Sequence, residues 1–448
     1  ERQWESKPPL LFYTYNFFTT LSGNNYLIFR ILNDFIVYFL SIILFMISKK
    51  NFGNTKSVSF LVSITYIIFM STVWNTLEYS ELYSLLFLSL SFYFYTNKTS
   101  KNSSYLTGIF LGLSILCNQG TLIFFLGFLF SLIFKNSDEV DNKLTFLAKF
   151  IFGIAVPNLV FVFYYYSNNL FDIYFAHFFS IPLSYASEGF NFLGGLIDYL
   201  RSFYKFNAAL YALFIFIIIS VSIQSLNNRI TNRQNISYLI DDISIFIIFS
   251  IIFYYVGSHG YYHHLLFLMF FLPLLIMKIS TKVQKNLFIL FLISALISTS
   301  ITQFPLSINN LKDLETTYKN YPLRALSDEI DSYFDDDDYT ILAFDYNLVL
   351  FYLDKHNQSY IVHSENYLED YIIEELIEVN YMSENEINDL LDQEADVVIC
   401  SPRMIKNGVV TKNELINCEI SDYKKNYKKI DTSDFIKNEN LQYYRDPY

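Results

Sequence analysis

Side chains that bind phosphate, metal ions or protons stand at three turns of this 448-residue chain, and each turn borders a long apolar run. The turns are "WESKPP" near the start, "NTLEYSELYS" further along and "GSHGYYHH" in the second half. A lysine ammonium suits a phosphate oxygen as a compact point charge, whereas carboxylates and imidazoles bind zinc or transfer protons. The candidate site residues are therefore Lys7, Glu5, Glu78, Glu81, His259, His263 and His264.

Each candidate also has a purely structural interpretation, which the sequence leaves open. Lys7 can extend its ammonium to a membrane surface without binding a ligand. Glu78 and Glu81 precede an apolar helix, where acids stabilise the helix dipole. His259 and His263 are four residues apart and face one way if a helix starts early, although capping or contact with lipid headgroups is the simpler role. A divalent metal is thus one alternative, and no cofactor is certain.

The apolar runs that border these turns predict a polytopic, all-α membrane domain. The chain is 53% hydrophobic and only 17% charged, whereas soluble domains carry about 25% charged residues. A helix that crosses a bilayer needs roughly 20 apolar residues, and we expect about 10–11 membrane helices in this chain. The candidate spans are Tyr26–Ser48, Ser57–Trp74, Leu82–Thr96, Leu144–Tyr166, Ala208–Ile223, Ile243–Val256, His264–Met277 and Leu287–Phe304, together with Tyr105–Phe134, which "CNQG" breaks into a hairpin or one kinked helix.

Lysine and arginine in short loops predict the orientation, because such loops stay in the cytoplasm. The basic loops are Lys49–Lys56, Asn97–Lys101, Lys135–Lys143, Asn227–Arg233 and Lys278–Lys285. They alternate consistently with the spans only if Tyr105–Phe134 is a hairpin that returns inside. The outer face then receives the three turns with the candidate residues, His177 and the chain after Pro305. We expect a multi-pass protein of the plasma (inner) membrane, with the lipid bilayer as a partner.

Three regions follow along the chain. Residues 1–25 are expected to form an outer loop and an interfacial helix, because "PPLLFYTYNFFTTL" spans only about 21 Å as a helix and has both ends outside. Residues 26–304 form the membrane domain. Residues 305–448 alternate helical patterns with the apolar runs Tyr339–Phe344 and Ala395–Cys400, which predict a small extracytoplasmic α/β domain. The net charge of −12 lies mostly in this acidic tail and argues against nucleic acid as a partner.

Four segments together resemble the ArnT-like and protein-mannosyltransferase-like membrane glycosyltransferases of the GT-C fold. "WESKPPLLFYTYNFFTTLSGNNYLIFRILN" is similar to their loop-to-helix signature, with Lys7 before two prolines and Arg30 in the next helix. "NTLEYSELYSLLFLSLSFYFY" and "YLTGIFLGLSILCNQG" are similar to two further motifs of these enzymes. "GYYHHLLFLMFFLPLL" is similar to a stretch that contains a histidine, here His263 or His264. The resemblance runs from the first residue to about Phe304.

The resemblance implies an integral membrane glycosyltransferase. Such an enzyme would move a hexosyl or pentosyl group from a polyprenyl-phosphate-linked donor to a lipid, glycan or protein acceptor on the extracytoplasmic face. It implies that Lys7 contacts the lipid phosphate and that the catalytic carboxylate belongs to a loop ahead of Glu1. Some relatives hold a metal with the acid next to this lysine, whereas here Glu5 is one position further away. Arg30 and His177 are further candidate site residues.

Two other function classes remain open from the sequence. A transporter or flippase of lipid-linked glycans would carry polar residues within its spans near the middle of the membrane, and most spans here are nearly free of charge. A scaffold protein would work through its acidic tail. Sugar transfer by the purified protein separates an enzyme from a flippase, because a flippase forms no new bond.

Overall fold

The structure of this chain is a computed structural model. It describes residues 7–23, 25–51, 56–70, 79–97, 102–134, 143–188, 241–256, 262–280, 322–334, 338–344, 347–359, 370–385, 389–390, 392–393 and 395–399, with the single positions 197, 293, 297, 300, 301, 305 and 308. Contacts divide the chain into two units. The larger unit holds Lys7–Tyr174 and the described residues of Pro182–Ile308, and the smaller holds Phe175–Ile181 and the described residues of Asn309–Tyr448.

The larger unit is helical. Its helices are α1 (Pro9–Ser22), α2 (Tyr26–Asn51), α3 (Lys56–Met70), α4 (Ser80–Thr96), α5 (Ser103–Cys117), α6 (Ile123–Phe134), α7 (Lys143–Ser167), α10 (Asp242–Val256) and α11 (Leu266–Ser280), with 3-10 turns at Gln119–Leu122 and Tyr262–Leu265. Two short helices, α8 (Phe171–Phe175) and α9 (Ile181–Glu188), stand on either side of the π-helical turn Ala176–Ser180. Seven of the predicted spans thus coincide with helices, because long apolar runs favour buried or membrane helices. The spans Ala208–Ile223 and Leu287–Phe304 lie largely outside the described residues.

The segment broken at "CNQG" is a hairpin. α5 runs antiparallel to α4, since Ser91 Oγ donates to the Thr107 carbonyl at 2.7 Å and Ser114 Oγ donates to the Ser84 carbonyl at 2.8 Å. α6 then returns, because the Ser131 hydroxyl lies 2.6 Å from that of Tyr95 near the end of α4. We call the end of the unit that holds the first turn of α4 the Glu81 end.

α1 lies across the Glu81 end and does not pass through the unit. Its tyrosine rings contact the first turns of α2 and α4 and the last turns of α7: Tyr13 meets Phe161 at 5.9 Å between ring centroids, and Tyr15 meets Phe29 at 6.3 Å and Tyr83 at 5.3 Å. Large apolar side chains of α1, such as Phe17 and Leu21, stay exposed. A 14-residue helix with exposed apolar side chains suits a membrane surface.

Among the described residues, two helices are long and apolar enough to cross a membrane, namely Leu27–Lys50 and Lys143–Ser167. The other apolar helices have 10–17 residues, as in Asp242–Val256, and at 1.5 Å per residue they are shorter than a bilayer core of about 30 Å. α7 leaves large apolar side chains exposed along its length, among them Phe152 and Phe163. Such surface is unfavourable in water and suits lipid. The expected count of about 10–11 spans remains a prediction.

Glycines bring α5 and α7 into close contact. A Cβ atom added at Gly108 would lie 2.1 Å from the Phe150 carbonyl oxygen and 2.9 Å from the Gly153 Cα. A Cβ added at Gly112 would lie 2.7 Å from the carbonyl oxygen of Ile154. Small residues four positions apart allow helix backbones to approach this closely, as in many membrane helix pairs. The contact fixes α5, which ends at Cys117, and therefore also fixes Asn118, the residue that follows it.

Aromatic rings fill the centre of the larger unit. Phe246 of α10 meets Phe92 of α4 at 4.6 Å, Phe128 of α6 at 4.8 Å and Phe271 of α11 at 5.2 Å between centroids. α11 is buried along most of its length. These edge-on and tilted contacts hold α4, α10 and α11 together, so the first turn of α4 and the 3-10 turn before α11 meet at the Glu81 end.

The smaller unit has a two-stranded parallel sheet, as the sequence predicts for a small α/β domain. β1 (Ile341–Ala343) pairs with β2 (Val397–Ile399), with Ile341 opposite Val397. The Asn357 amide continues the hydrogen bonding beside β1, because it accepts from the Ala343 N–H at 2.9 Å and donates to the Ala343 carbonyl at 2.8 Å. The other elements of this unit are α12 (Pro322–Ser332), α13 (Leu348–Leu353) and α14 (Asp370–Glu378), of which α12 and α13 contribute to the apolar core around the sheet.

Candidate functional site

The Glu81 carboxylate lies in the first turn of α4 and is 2% exposed. Two polar side chains hold it. The Asn118 Nδ2 group donates to Oε1 at 2.9 Å, and the Ser80 hydroxyl donates to Oε2 at 3.1 Å. Asn118 is itself fixed at the tip of the α5–α6 hairpin, since its Oδ1 accepts from the Gly120 N–H at 3.0 Å. The carboxylate is thus buried, hydrogen-bonded and at the positive end of a helix dipole.

Two imidazoles face this carboxylate from the 3-10 turn before α11. Nε2 of His264 lies 3.5 Å from Glu81 Oε1, and Nε2 of His263 lies 4.0 Å from the same oxygen. The Tyr79 ring stacks on the His263 ring with 4.1 Å between centroids, and the two imidazoles are nearly perpendicular. Both histidines belong to the 3-10 turn Tyr262–Leu265, which brings them close to this oxygen. We call Glu81, His263 and His264 the Glu–His cluster.

Lys7 stands beside the Glu–His cluster. Pro8 is extended and Pro9 begins α1, so the two prolines fix the backbone directly after the lysine. Lys7 is half-buried, and its positive charge acts on both Glu81 and His263. The sequence prediction that Lys7 and Glu81 share one end of the protein agrees with this arrangement.

The charges of the cluster are set by burial and by one another. Burial alone raises the pKa of the Glu81 carboxyl. In the acid range where this carboxyl titrates, His263, His264 and Lys7 are all positive, and their charges outweigh burial and hold the pKa well below its ordinary value of 4.5. Burial lowers the pKa of His263, the Glu81 carboxylate opposes this shift and Lys7 adds to it. Glu81 and His263 each lie directly before a predicted membrane span, Leu82–Thr96 and His264–Met277 respectively. Near neutral pH the cluster therefore joins an ionised carboxylate to a neutral His263, whose ring nitrogen keeps a lone pair.

The cluster has the donor atoms of a metal site. The three ligand atoms, one carboxylate oxygen and two imidazole nitrogens, all lie within 4.8 Å of one another. Such a donor set suits zinc and related divalent ions.

The other predicted site residues are distributed differently. Glu5, Glu78 and His259 lie outside the described residues, so the expected pairing of His259 with His263 stays a prediction. Arg30 lies on α2, and its charge interacts with Asp34 one turn further along. His177 lies in the turn Ala176–Ser180 of the smaller unit.

Three residues that contact the cluster are not site candidates in the sequence analysis. They are Tyr79, Ser80 and Asn118, which orient His263 or Glu81. The only sequence signal is the polar break "CNQG" in an apolar run, since a polar amide between two apolar helices needs a hydrogen-bonding partner. The partner itself is 37 positions away and appears only in the fold.

An apolar cavity of about 280 Å³ lies between α1, α2 and α4. Leu10, Phe17, Ile36 and Leu86 are among the residues that line it. Leu10 stands in the first turn of α1, directly after the lysine and its prolines. The cavity is therefore apolar and begins close in sequence to the phosphate-binding candidate.

The N-terminal third of the chain matches the model of a known protein family. Residues 6–161 match the family model described as dolichyl-phosphate-mannose-protein mannosyltransferase. Over those residues the chain is similar to this family. The mannosyltransferase-family region contains Lys7, Arg30, Glu81 and Asn118, and it ends within α7. It confirms the resemblance stated from the sequence and implies a polytopic membrane protein of the GT-C fold.

The two imidazoles of the cluster lie beyond the matched residues. No curated protein and no solved structure matches the chain significantly.

Proposed function

We propose that this chain is a glycosyltransferase of the extracytoplasmic membrane face, which takes a sugar from a polyprenyl-phosphate-linked donor and places it on a lipid, glycan or protein acceptor. The description of the matching family names a dolichyl-phosphate-mannose donor, so mannose is the sugar to test first. The observation that supports the proposal most directly is the position of Lys7, which belongs to the matched region and stands beside the Glu–His cluster.

The apolar cavity supports a lipid-linked donor. The cavity is bounded by α1, whose first residue is two positions after Lys7. A donor that joins a charged phosphate to an isoprenoid chain needs a cation next to an apolar surface, and this arrangement provides both. We assign the phosphate to Lys7 and the nearest isoprenoid units to the cavity.

In the proposed reaction the bond between the sugar C1 and the phosphate oxygen breaks. A new bond forms between C1 and the acceptor hydroxyl oxygen, a general base takes the hydroxyl proton, and polyprenyl phosphate leaves. Negative charge grows on the leaving phosphate in the transition state, so the Lys7 ammonium stabilises the transition state more than the ground state. Lys7 therefore promotes departure of the leaving group and does not remove the proton.

Binding of polyprenyl phosphate tests the role of Lys7 without knowledge of the sugar. In the full chain purified in detergent, Lys7→Ala should weaken polyprenyl phosphate binding at least about 10-fold, because a hydrogen bond to a charged group contributes roughly 1.5–3 kcal/mol. The matched control is Lys149→Ala, since Lys149 contacts the Tyr105 ring on the α5–α7 face and takes no part in the cluster. Equal affinities of the two variants would contradict the assignment.

A further inference from the structure

We infer that Glu81, His263 and His264 bind one divalent cation of the zinc class, and that a phosphate oxygen of the donor takes the remaining coordination position. The inference rests on the proposed donor for its fourth ligand only. The three protein ligands do not depend on any donor, because all three ligand atoms lie within 4.8 Å of one another.

The distances fit a cation after a small closure. Zinc bonds of about 2.0–2.2 Å in a tetrahedron place ligand atoms roughly 3.3–3.5 Å apart. Glu81 Oε1 and His264 Nε2 are 3.5 Å apart, which already matches. His263 Nε2 is 4.0 Å from the same oxygen, so its ring has to shift by a fraction of an ångström to about 1 Å. His263 and His264 each direct their Nε2 atom towards Oε1 of Glu81.

The surrounding side chains hold the ligands as metal sites require. Asn118 donates to the Oε1 atom that would bind the cation, and Ser80 donates to the other oxygen. Tyr79 stacks on His263 and fixes the plane of its ring. Such outer contacts orient metal ligands and stabilise their geometry. They come from α4, the hairpin tip and the residue before α4, so the site is preformed by packing of helices.

Charge explains why the site would take a phosphate together with the cation. Lys7 and a bound cation repel each other across Glu81 and His263, on which the Lys7 charge acts. A phosphate between them removes that repulsion, because it binds the ammonium on one side and the cation on the other. Three protein ligands with one open position are typical of zinc sites that act on a substrate, whereas structural sites close all four positions.

Zinc binding by the purified full chain tests the inference without any lipid donor. After removal of metals with a chelator and dialysis, we expect one Zn²⁺ to bind per chain by equilibrium dialysis with radioactive zinc. The double variant His263→Gln/His264→Gln should bind Zn²⁺ at least roughly 10–100-fold more weakly, the loss that even an outer contact can cause. The control is His356→Gln, which changes an exposed histidine of the smaller unit and should bind like the wild type.

Two further measurements keep the test decisive. If the double variant does not fold, His264→Gln alone replaces it, and the rise of Tm on addition of Zn²⁺ to the wild type reports the same binding. Lys7→Ala should bind Zn²⁺ as tightly as the wild type or more tightly, because the variant removes a repelling charge. Absence of zinc binding in the wild type, or equal binding by wild type and histidine variants, would overturn the inference.

The outcomes separate this site from the proposed function. If the metal-free wild type binds polyprenyl phosphate and transfers sugar at its full rate, the cation does not bind the donor phosphate, and the transferase stands. If zinc binds as expected but Lys7→Ala does not affect polyprenyl phosphate binding, the cation site stands and the donor assignment is wrong. Since binding is reciprocal, polyprenyl phosphate should also tighten zinc binding by the wild type.

Discussion

Glu81 shows how one buried carboxylate can organise a site. It is 2% exposed, yet it stays ionised because the charges of neighbouring groups hold its pKa low, and Asn118 and Ser80 donate hydrogen bonds to its oxygens. An isolated buried carboxylate would instead become neutral, since burial disfavours the charged form. The imidazole of His263 has the opposite tendency, because burial keeps it neutral. The ionised carboxylate and the neutral imidazole both have lone pairs that can bind a cation or accept a proton.

The lowered pKa of His263 predicts an acid-sensitive protein. As the pH falls from 7 to 5, the unfolded chain takes up a proton on this histidine near its ordinary pKa of 6.5, whereas the folded chain resists protonation. The folded state should therefore lose stability across this range. Glu81 does not titrate in this window, because its pKa is held below 4.5. Within the described part of the chain, the charged or titratable groups that face or act on His263 are Glu81, Lys7, His264 and the phenol of Tyr79.

Thermal denaturation at several pH values in metal-free detergent buffer measures this effect. Between pH 7 and pH 5, the Tm of the wild type should fall further than that of His263→Gln, which has no group that titrates at this position. The same slope in both proteins would show that burial does not hold His263 neutral.

At the scale of helices, the site depends on how closely α5 meets α7. The Gly108–Gly112 spacing is visible in the sequence and is typical of close helix pairs. Its partner surface on α7, which includes Gly153, is known only from the structure. Because α5 ends at the hairpin tip, displacement of α5 would move Asn118 away from Glu81.

A matched pair of alanine substitutions tests the helix contact. Gly108→Ala puts a methyl group 2.1 Å from the Phe150 carbonyl oxygen, so the backbones must separate, at a cost of about 1–3 kcal/mol. Gly127→Ala puts the same group 3.3 Å from the edge of the Phe249 ring, which can move slightly. Alanine also favours a helix over glycine by up to about 1 kcal/mol. We therefore expect Gly108→Ala to lower the Tm clearly and Gly127→Ala to change it little.

The Tm of each purified variant in detergent, measured by intrinsic fluorescence, is the readout. Equal Tm values for Gly108→Ala and Gly127→Ala would contradict the close backbone contact between α5 and α7.

At the scale of the whole chain, patterns local in sequence could be predicted and pairings distant in sequence could not. The predicted span Ile243–Val256 coincides with the helix Asp242–Val256, because a continuous apolar run defines a buried or membrane helix. The parallel strands were likewise predictable from short β-branched runs. The contact of Asn118 with Glu81 was not, because it depends on how helices far apart in sequence pack.

The site was predicted in part for the same reason. The charge bias of the loops predicts that Lys7, Glu81 and the histidines lie on one face. This charge bias does not predict which of the histidines contact Glu81. That choice depends on the 3-10 turn Tyr262–Leu265, which carries both His263 and His264. Short polar turns between apolar helices carry too weak a pattern for such a prediction.

Formation of a new glycosidic bond by the purified full chain tests the central claim most directly. The protein, reconstituted in vesicles, is supplied with polyprenyl-phosphate mannose that carries a radioactive sugar, and with envelope extract from cells that lack the protein as the source of acceptors. We expect the label to leave the donor and appear on an acceptor, with release of polyprenyl phosphate, and we expect Lys7→Ala to abolish most of this transfer. Donor that crosses the bilayer with its label still attached would contradict the account and identify a transporter instead.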